Sequence, residues 1–436
     1  MNVGQSAKER EVRFSPSGRQ PRQGEELVTY REAVLDGHYL KDTGGLVGKH
    51  DNVRRYWEDE LTRLALREPL EALALEKKRA LERLRILDLG CGSGEGYELL
   101  MGIRRCTSGM ESTNSLLVTP ALIALYLGVD ISPAMVEQGR EIYSGNSKIA
   151  FERADLREGL PRVIGPDSFD IYFSSYGSLS HLNDRELEQI LVEIARHAGA
   201  HALVVGDWLG KFSYEWQDEW DNQSPDGMRD YSMAYLCPNG EKSLAEIEHF
   251  PMRYWSRAEL LDLVERVAQR SGRKVVLQKT FDRSILVGRH MDTRIYNSEA
   301  PALRKAVNRL HESNYRTELH DLLFDYQPRC GFKEANRFFE RMQMAWHLVI
   351  SYCIDRLTAD EMDPEHQALE AFPEPVRGAV QTTAKVIDNV KWMRMGDPRA
   401  NIIEPQLAYT LRGLETGLQR GAGYGHGLIG IIEITG

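Results

Sequence analysis

Ile86-Leu87-Asp88-Leu89-Gly90-Cys91-Gly92-Ser93-Gly94 is the stretch that decides how this chain is read. An apolar run stops at an acidic residue and breaks into glycines at alternate positions. The segment after it, Glu95 to Arg105, has helical character. The order predicted is strand, tight turn, helix, with Arg85 to Leu89 as the strand. Glycine reaches φ > 0 without strain and lets backbone pass close to a ligand. The turn is therefore a candidate cradle. Its spacing, Gly90-x-Gly92-x-Gly94-x-Gly96, departs from the GxGxxG of dinucleotide sites. Glu95 inside the turn suits a cationic amino-acid ligand better than a pyrophosphate.

Working outward, strands alternate with helices, the pattern of a parallel sheet with crossovers. Ala121 to Ile131 contains a second strand, and Ser132-Pro133 opens a helix with an N-cap and an N1 proline. Lys148–Arg153, Phe169–Ser174 and His201–Asp207 read as strands three to five. Asn183-x-x-Glu186 and Ser256-x-x-Glu259 are helix-opening boxes. Val275–Phe281 and Ser284–Gly288 are expected to be the last two strands. Two insertions interrupt the scheme: about Cys106 to Pro120, and Trp208 to Trp255, which is rich in tryptophan. From about Ser298 the alternation gives way to helices at Ala300–Tyr326, Lys333–Leu357, Pro375–Met395 and Pro405–Gln419. In the second of these Phe338, Met342, Trp346, Val349, Cys353 and Leu357 form one apolar stripe, either core or a dimer seam. Leu428–Ile434 is a short apolar run that would suit a strand.

ILDLGCGSG resembles the first motif of class I S-adenosylmethionine (SAM)-dependent methyltransferases of the small-molecule type. The resemblance spans roughly Arg85 to His290 and leaves the C-terminal third uncovered. It implies an α/β fold with a Rossmann-like seven-stranded sheet. To this the sequence adds a helical N-terminal lid and a mostly α-helical C-terminal domain. The boundaries expected are a mobile tail at 1–26, a lid at 27–84, the SAM-binding domain at 85–297 with a substrate cap at 208–255, and a helical domain at 298–436. The resemblance also implies a cofactor site. Gly90, Cys91, Gly92 and Gly94 would pass close to the methionine portion and the adenosine. Asp88 would meet the amino group, directly or through water. Asp130, beside Ile131, would accept from the ribose hydroxyls, and Asp155, beside Leu156, would pair with the adenine amino group. Ser174 and Ser175 would line the pocket. Taken singly, Asp130 and Asp155 read equally well as turn or helix-initiating residues; three strand ends carrying the expected residue types make the stronger pattern. The product would be S-adenosylhomocysteine (SAH).

Methyl transfer from a sulfonium is an in-line displacement, so the enzyme mainly aligns the reactants and excludes water. A base is needed only when the acceptor must lose a proton. The segment Ser175–Leu182 weakly resembles glycine- and sugar-type N-methyltransferases, in which a small-residue loop precedes a histidine or an aromatic. His181 is the candidate base, or else a packing histidine; Tyr176 would orient the acceptor or stack on adenine. Tyr214, Glu215, Trp216 and Trp255 in the second insertion are candidate acceptor contacts, or the core of a cap.

Composition narrows the acceptor. The 436 residues carry a formal net charge of −10, and Lys/Arg-rich runs are lacking. A basic nucleic-acid face is not indicated, so a small-molecule acceptor, O or N before C, is expected over RNA or protein. The setting would be specialised metabolism. A SAM-binding subunit without catalysis is the reading from a different class. The five cysteines form no CxxC pair, which speaks against zinc and disulfides and suits a reducing cytoplasm. No metal, nucleic acid or membrane partner is expected, and a homodimer through the helical domain is.

Overall fold

A computed structural model describes residues 34, 37, 39, 45–105, 116–222, 224, 227–236, 247–358, 370–390, 393 and 396–436. The tail at 1–26 and most of the first insertion lie outside the described residues.

The sheet is built from β1 (Leu84–Leu89), β2 (Ile123–Asp130), β3 (Ile149–Arg153), β4 (Ile171–Phe173) and β5 (His201–Gly210), all parallel, in the order β3-β2-β1-β4-β5. The turn after β1 leads into helix α2 (Glu95–Met101), and Ser132 caps α3 (Pro133–Ile142) as its sequence predicts. Both boxes form: Asn183 and Glu186 open α4 (Asp184–His197), and Ser256 and Glu259 open α5 (Arg257–Ser271), which stops at left-handed Gly272. The second insertion contributes a hairpin, β6 (Met228–Ser232) against β7 (His249–Trp255), joined to the end of β5 through Leu209 and Gly210.

Of the last two sheet strands, the sixth stands where expected and the seventh does not. β8 (Lys274–Arg283) is the sixth, but the seventh is β9 (Gly427–Thr435). β9 runs antiparallel between β5 and β8, pairing from His201↔Thr435 to Leu209↔Gly427 on one side and from Lys274↔Thr435 to Arg283↔Gly427 on the other. Ser284–Gly288 is not a strand. Ser284 sits at φ +57, which turns the chain out of the sheet. The backbone N–H groups of Ile285 and Leu286 then go to the Glu415 carboxylate at 3.2 and 2.7 Å. Burial explains the apolar run, and a side chain takes the place of a neighbouring strand. The helical segment is therefore an insertion between β8 and β9, and the 298–436 boundary is corrected: its last residues belong to the sheet.

That insertion holds α6 (Leu303–Leu310), α7 (Lys333–Thr358), α8 (Glu374–Val390) and α9 (Glu404–Leu418). The helix expected at 300–326 stops after Leu310, with Asn314 at φ +61 beyond it. Phe338, Met342, Trp346, Val349 and Cys353 are buried within the chain, so the stripe is core and not a seam between copies.

Helix α1 (Asp59–Arg79), entered through a π-helical turn at Arg54–Glu58, joins the two parts. Trp57 on that turn donates to Glu415 at 3.0 Å and packs near Trp346, 6.2 Å between ring centroids. The N-terminal segment is thus wedged between sheet and inserted helices.

Candidate active site

The carboxyl ends of β1 to β4 open into a cavity of about 290 Å³. This lies near the lower end of the roughly 300–1,000 Å³ typical of ligand pockets. Its wall divides by origin. Gly90, Gly92, Asp130, Ile131, Asp155, Leu156, Ser175 and Tyr176 come from the strand ends. Tyr39, Lys49 and Arg54 come from the N-terminal segment, Tyr235 and Phe250 from the second insertion, and Arg289 from beyond β8.

At the glycine turn two positions need the missing side chain for different reasons. Gly90 has φ +69, and a Cβ there would lie 2.6 Å from Ser178 Cβ. Ser178 closes this approach by donating to the Gly90 carbonyl at 2.8 Å. Gly92 has φ +54, and a Cβ there would meet nothing nearer than Met135 Sδ at 4.0 Å. It would fill open space in the cradle. Asp130 receives the Gly92 N–H on one oxygen and the Ser132 N–H on the other, both at 2.9 Å. Those bonds fix its carboxylate at the cavity wall, while burial raises its pKa. Asp155 is clasped by the Arg157 fork, with Nη2 at 2.6 Å. Arg157 must share that carboxylate with any adenine amino group.

The lid end is held by charge. Glu95, the first residue of α2, receives Lys49 Nζ at 2.7 Å on one oxygen and Arg54 Nη2 at 3.2 Å on the other. Arg54 also donates through Nε to Asp59 at 2.7 Å. Its guanidinium lies 3.4 Å over the Tyr176 ring. Behind these, fully buried Glu58 receives Arg304 at 2.7 Å, Arg289 at 3.0 Å and Arg283 at 3.3 Å. Arg304 grips Asp51, and Arg283 grips Asp207 on β5. The three arginines hold Glu58 well below the usual carboxylate range despite its burial. Burial, assisted by Arg54 and Arg289, lowers Lys49 to about 8, although Glu95 opposes the shift.

Several expected residues stand elsewhere. Asp88 does not line the cavity; it lies behind the turn, fully buried, where Tyr126 donates to it and burial pushes its pKa up to about 7. Gly94 is also away from the wall, tucked against Tyr143 and Phe151. Ser174 is turned inward, donating to the Leu89 carbonyl. The four acceptor candidates of the second insertion are core. Trp216 donates to the Gly210 carbonyl at 2.9 Å, and Glu215 binds His426 at 2.7 Å and the His290 N–H at 2.8 Å. Tyr214 packs on Tyr326, and Trp255 is buried beside α5. Trp216 follows the habit of large core aromatics with a satisfied polar tip, whereas the Tyr214 hydroxyl and Trp255 Nε1 are buried without a hydrogen-bond partner.

Tyr176 and His181 line the cavity. Tyr176 sits at φ +57, a left-handed conformation uncommon outside glycine and seen mostly at functional positions. Its N–H donates to Asp207 and its hydroxyl to Asp59, each at 2.9 Å. With its proton committed and its pKa pushed well up by burial, it is no base. His181 packs beside Phe250, 4.9 Å between centroids, and burial lowers it to about 4, with Arg157 adding to the effect. It is a neutral imidazole at physiological pH. Sequence reasoning missed Arg54, Arg289 and Phe250; Tyr235 lies in the aromatic-rich second insertion expected to meet the acceptor, and Lys49 in the 27–84 stretch expected to form the lid.

Among known proteins, residues 111–199 match a family model described as a methyltransferase domain. That match starts beyond the glycine turn and spans β2 to α4. No curated protein matches the chain. Solved structures with some likeness include the CcbJ methyltransferase from Streptomyces caelestis, at 16% identity over 48% of this chain and 80% of that one, TM-score 0.30. The PH0226 protein from Pyrococcus horikoshii shows 17% identity over 56% and 92%, TM-score 0.31. A TehB-like SAM-dependent methyltransferase from Corynebacterium glutamicum shows 18% over 49% and 76%, TM-score 0.27. At these values the likeness is distant. The family match falls on β2 to α4, where the strand ends carry Asp130 and Asp155, and this part of the chain is similar to a methyltransferase domain.

Proposed function

We propose that the protein methylates an oxygen or nitrogen atom of a small molecule, as a step in specialised metabolism. The observation that carries this reading is one cavity walled by the glycine turn and strand-end carboxylates together with aromatic rings and guanidinium groups. Gly90, Gly92, Asp130 and Asp155 would hold SAM, which brings an electrophilic methyl group and its own leaving group. The lid residues Lys49 and Arg54 close on Glu95 and exclude water from that end. Neutral His181 can accept a hydrogen bond or a proton from an acceptor O–H or N–H. Tyr176 acts by position: locked at backbone and hydroxyl, it gives the acceptor a fixed wall. Any homodimer would use a surface other than the buried stripe. No helix among the described residues is long and apolar enough to cross a membrane.

Calorimetric titration with SAM and SAH tests the cofactor half. Micromolar binding of both is expected, and no heat at millimolar ligand would overturn the reading. Acceptor class is then read from methyl transfer to a panel of phenols, amines and carboxylic acids.

A further inference from the structure

The charged residues on the cavity wall fall into two sets. Asp130 and Asp155, with Arg157 closed on the latter, belong to the strand ends. The rest are Lys49, Arg54, Arg289 and Glu95. Glu95 is already occupied on both oxygens by Lys49 and Arg54. Among the described wall residues the lid end therefore offers cationic donors and no carboxylate left open. Arg54 is 3% exposed, and its Nη1 has no hydrogen-bond partner. A buried guanidinium nitrogen left without an acceptor is costly, and a ligand oxygen would relieve it. Arg289 spends Nη2 on Glu58, and its guanidinium stands 5.1 Å over the Tyr235 ring. The three cations are near enough that Arg54 and Arg289 both depress Lys49. Tyr39, Tyr176, Tyr235 and Phe250 supply flat apolar surface around them.

We propose that the acceptor is a carboxylate-bearing small molecule with a flat body, its carboxylate received by Arg54 and Arg289 at the lid end of the cavity. This rests on the cavity being a methyl-transfer site. Guanidinium groups match a carboxylate in charge and in fork geometry. Arg54 Nη1 is the donor left over once Glu95, Asp59 and Glu58 have taken theirs, and a carboxylate oxygen would fill it with charge as well as a lone pair. The rival source of the same chemistry is the carboxylate of the cofactor's own methionine portion, and methylthioadenosine, which lacks it, separates the two.

The test uses the full chain saturated with SAH and reads thermal melting in the presence of benzoate, phenylacetate, benzylamine or benzyl alcohol at equal concentration. At least one carboxylate should raise the melting temperature, and the amine and alcohol should not. Arg289→Gln should abolish the carboxylate shift while SAH affinity changes less than twofold. Arg289→Lys, which keeps the charge that Glu58 needs, should weaken carboxylate binding about tenfold, and serves if the first variant melts before assay. Absence of any carboxylate shift, or an equal shift with benzylamine, would overturn the proposal. So would a tenfold loss of SAH affinity in Arg54→Gln or Arg289→Gln with methylthioadenosine binding unchanged, because the site would then belong to the cofactor. Failure of the unmodified protein to bind SAH would overturn this proposal together with the reading beneath it.

Discussion

The two halves of the cavity are built by different means. In the cofactor half each group is fixed by its near neighbours: Asp130 by the Ser132 N–H two residues on, Asp155 by Arg157. Its longer ties, Gly92 N–H to Asp130 across 38 positions and Ser178 to the Gly90 carbonyl across 88, join turns at the ends of the parallel strands. In the lid half, apart from Arg54 to Asp59, the ties are long. Arg304 reaches Asp51 across 253 positions, and Arg289 reaches Glu58 across 231. Hydrogen-bonded turns make a site that forms with the sheet. A buried ion network makes one that forms only when lid, β5, β8 and the inserted helices are all in place. The cofactor half should therefore withstand damage elsewhere, and the lid half should fail as a unit.

The largest expected effect follows from that contrast. Glu58→Gln leaves Arg283, Arg289 and Arg304 without their common carboxylate in a fully buried place. Breaking a buried ion pair on one side costs about 3–5 kcal/mol. The melting temperature should drop by several degrees at least, with the lid half lost first. A Glu58→Gln protein that melts like the unmodified one would show that the network is not what holds the lid.

Next in size is Asp130→Ala. A hydrogen bond to a charged group is worth about 1.5–3 kcal/mol, or roughly 10- to 100-fold in affinity. SAH binding should weaken by that factor and folding should be little affected. The opposite pattern, intact affinity with a damaged fold, would make Asp130 a structural cap of the turn and blur the two halves.

The same contrast explains what the sequence disclosed. The glycine turn, the helix boxes at Asn183 and Ser256, and the carboxylates at the ends of β2 and β3 are short-range patterns, and they stand where periodicity and spacing put them. β9 was harder, because its apolar run is separated from β8 by the whole helical insertion. The run at 285–287 has the composition of a strand, yet its donors are taken by Glu415, a partner 129 or more residues away. Nothing local in the sequence marks Arg54 or Arg289. Only the long-range packing that buries them turns them into a site. The tryptophan-rich insertion misled for the converse reason: its rings fill the core beneath the cavity, and among its described residues only Tyr235, Phe250 and Pro251 reach the wall.

A smaller effect is expected from Glu95→Gln. The amide keeps one acceptor oxygen for either Lys49 or Arg54, turns N–H donors toward the other, and carries no charge. The lost ion pairs are partly screened, and about 0.5–1 kcal/mol is a fair measure of each. SAH dissociation measured by stopped flow should accelerate roughly two- to fivefold as the lid loosens. An unchanged rate would mean that the lid is held by the Glu58 network alone, making the two layers of charge independent.

The smallest effect is a pH dependence confined to the lid. Lys49 ionises at about 8 in the folded protein, chiefly because burial disfavours its charge, against an ordinary value of 10.5. Between these values the unfolded chain binds more protons at this residue than the folded one. Unfolding free energy therefore gains a rising contribution from this group as pH climbs from about 8 to 10.5, and below 8 the full cost of burying the charge is present. The latch responds in the opposite sense, because Glu95 loses a cationic partner as Lys49 deprotonates. Global stability and lid closure should thus diverge above pH 8, which the strand-end half has no group to imitate. SAH dissociation compared between the unmodified protein and Lys49→Met from pH 7 to 9.5 isolates the term. The unmodified protein should dissociate faster above pH 8 and approach the rate of the variant, whose own profile lacks that step. Parallel profiles in the two proteins would remove Lys49 from the latch and leave Arg54 as the side chain that closes it.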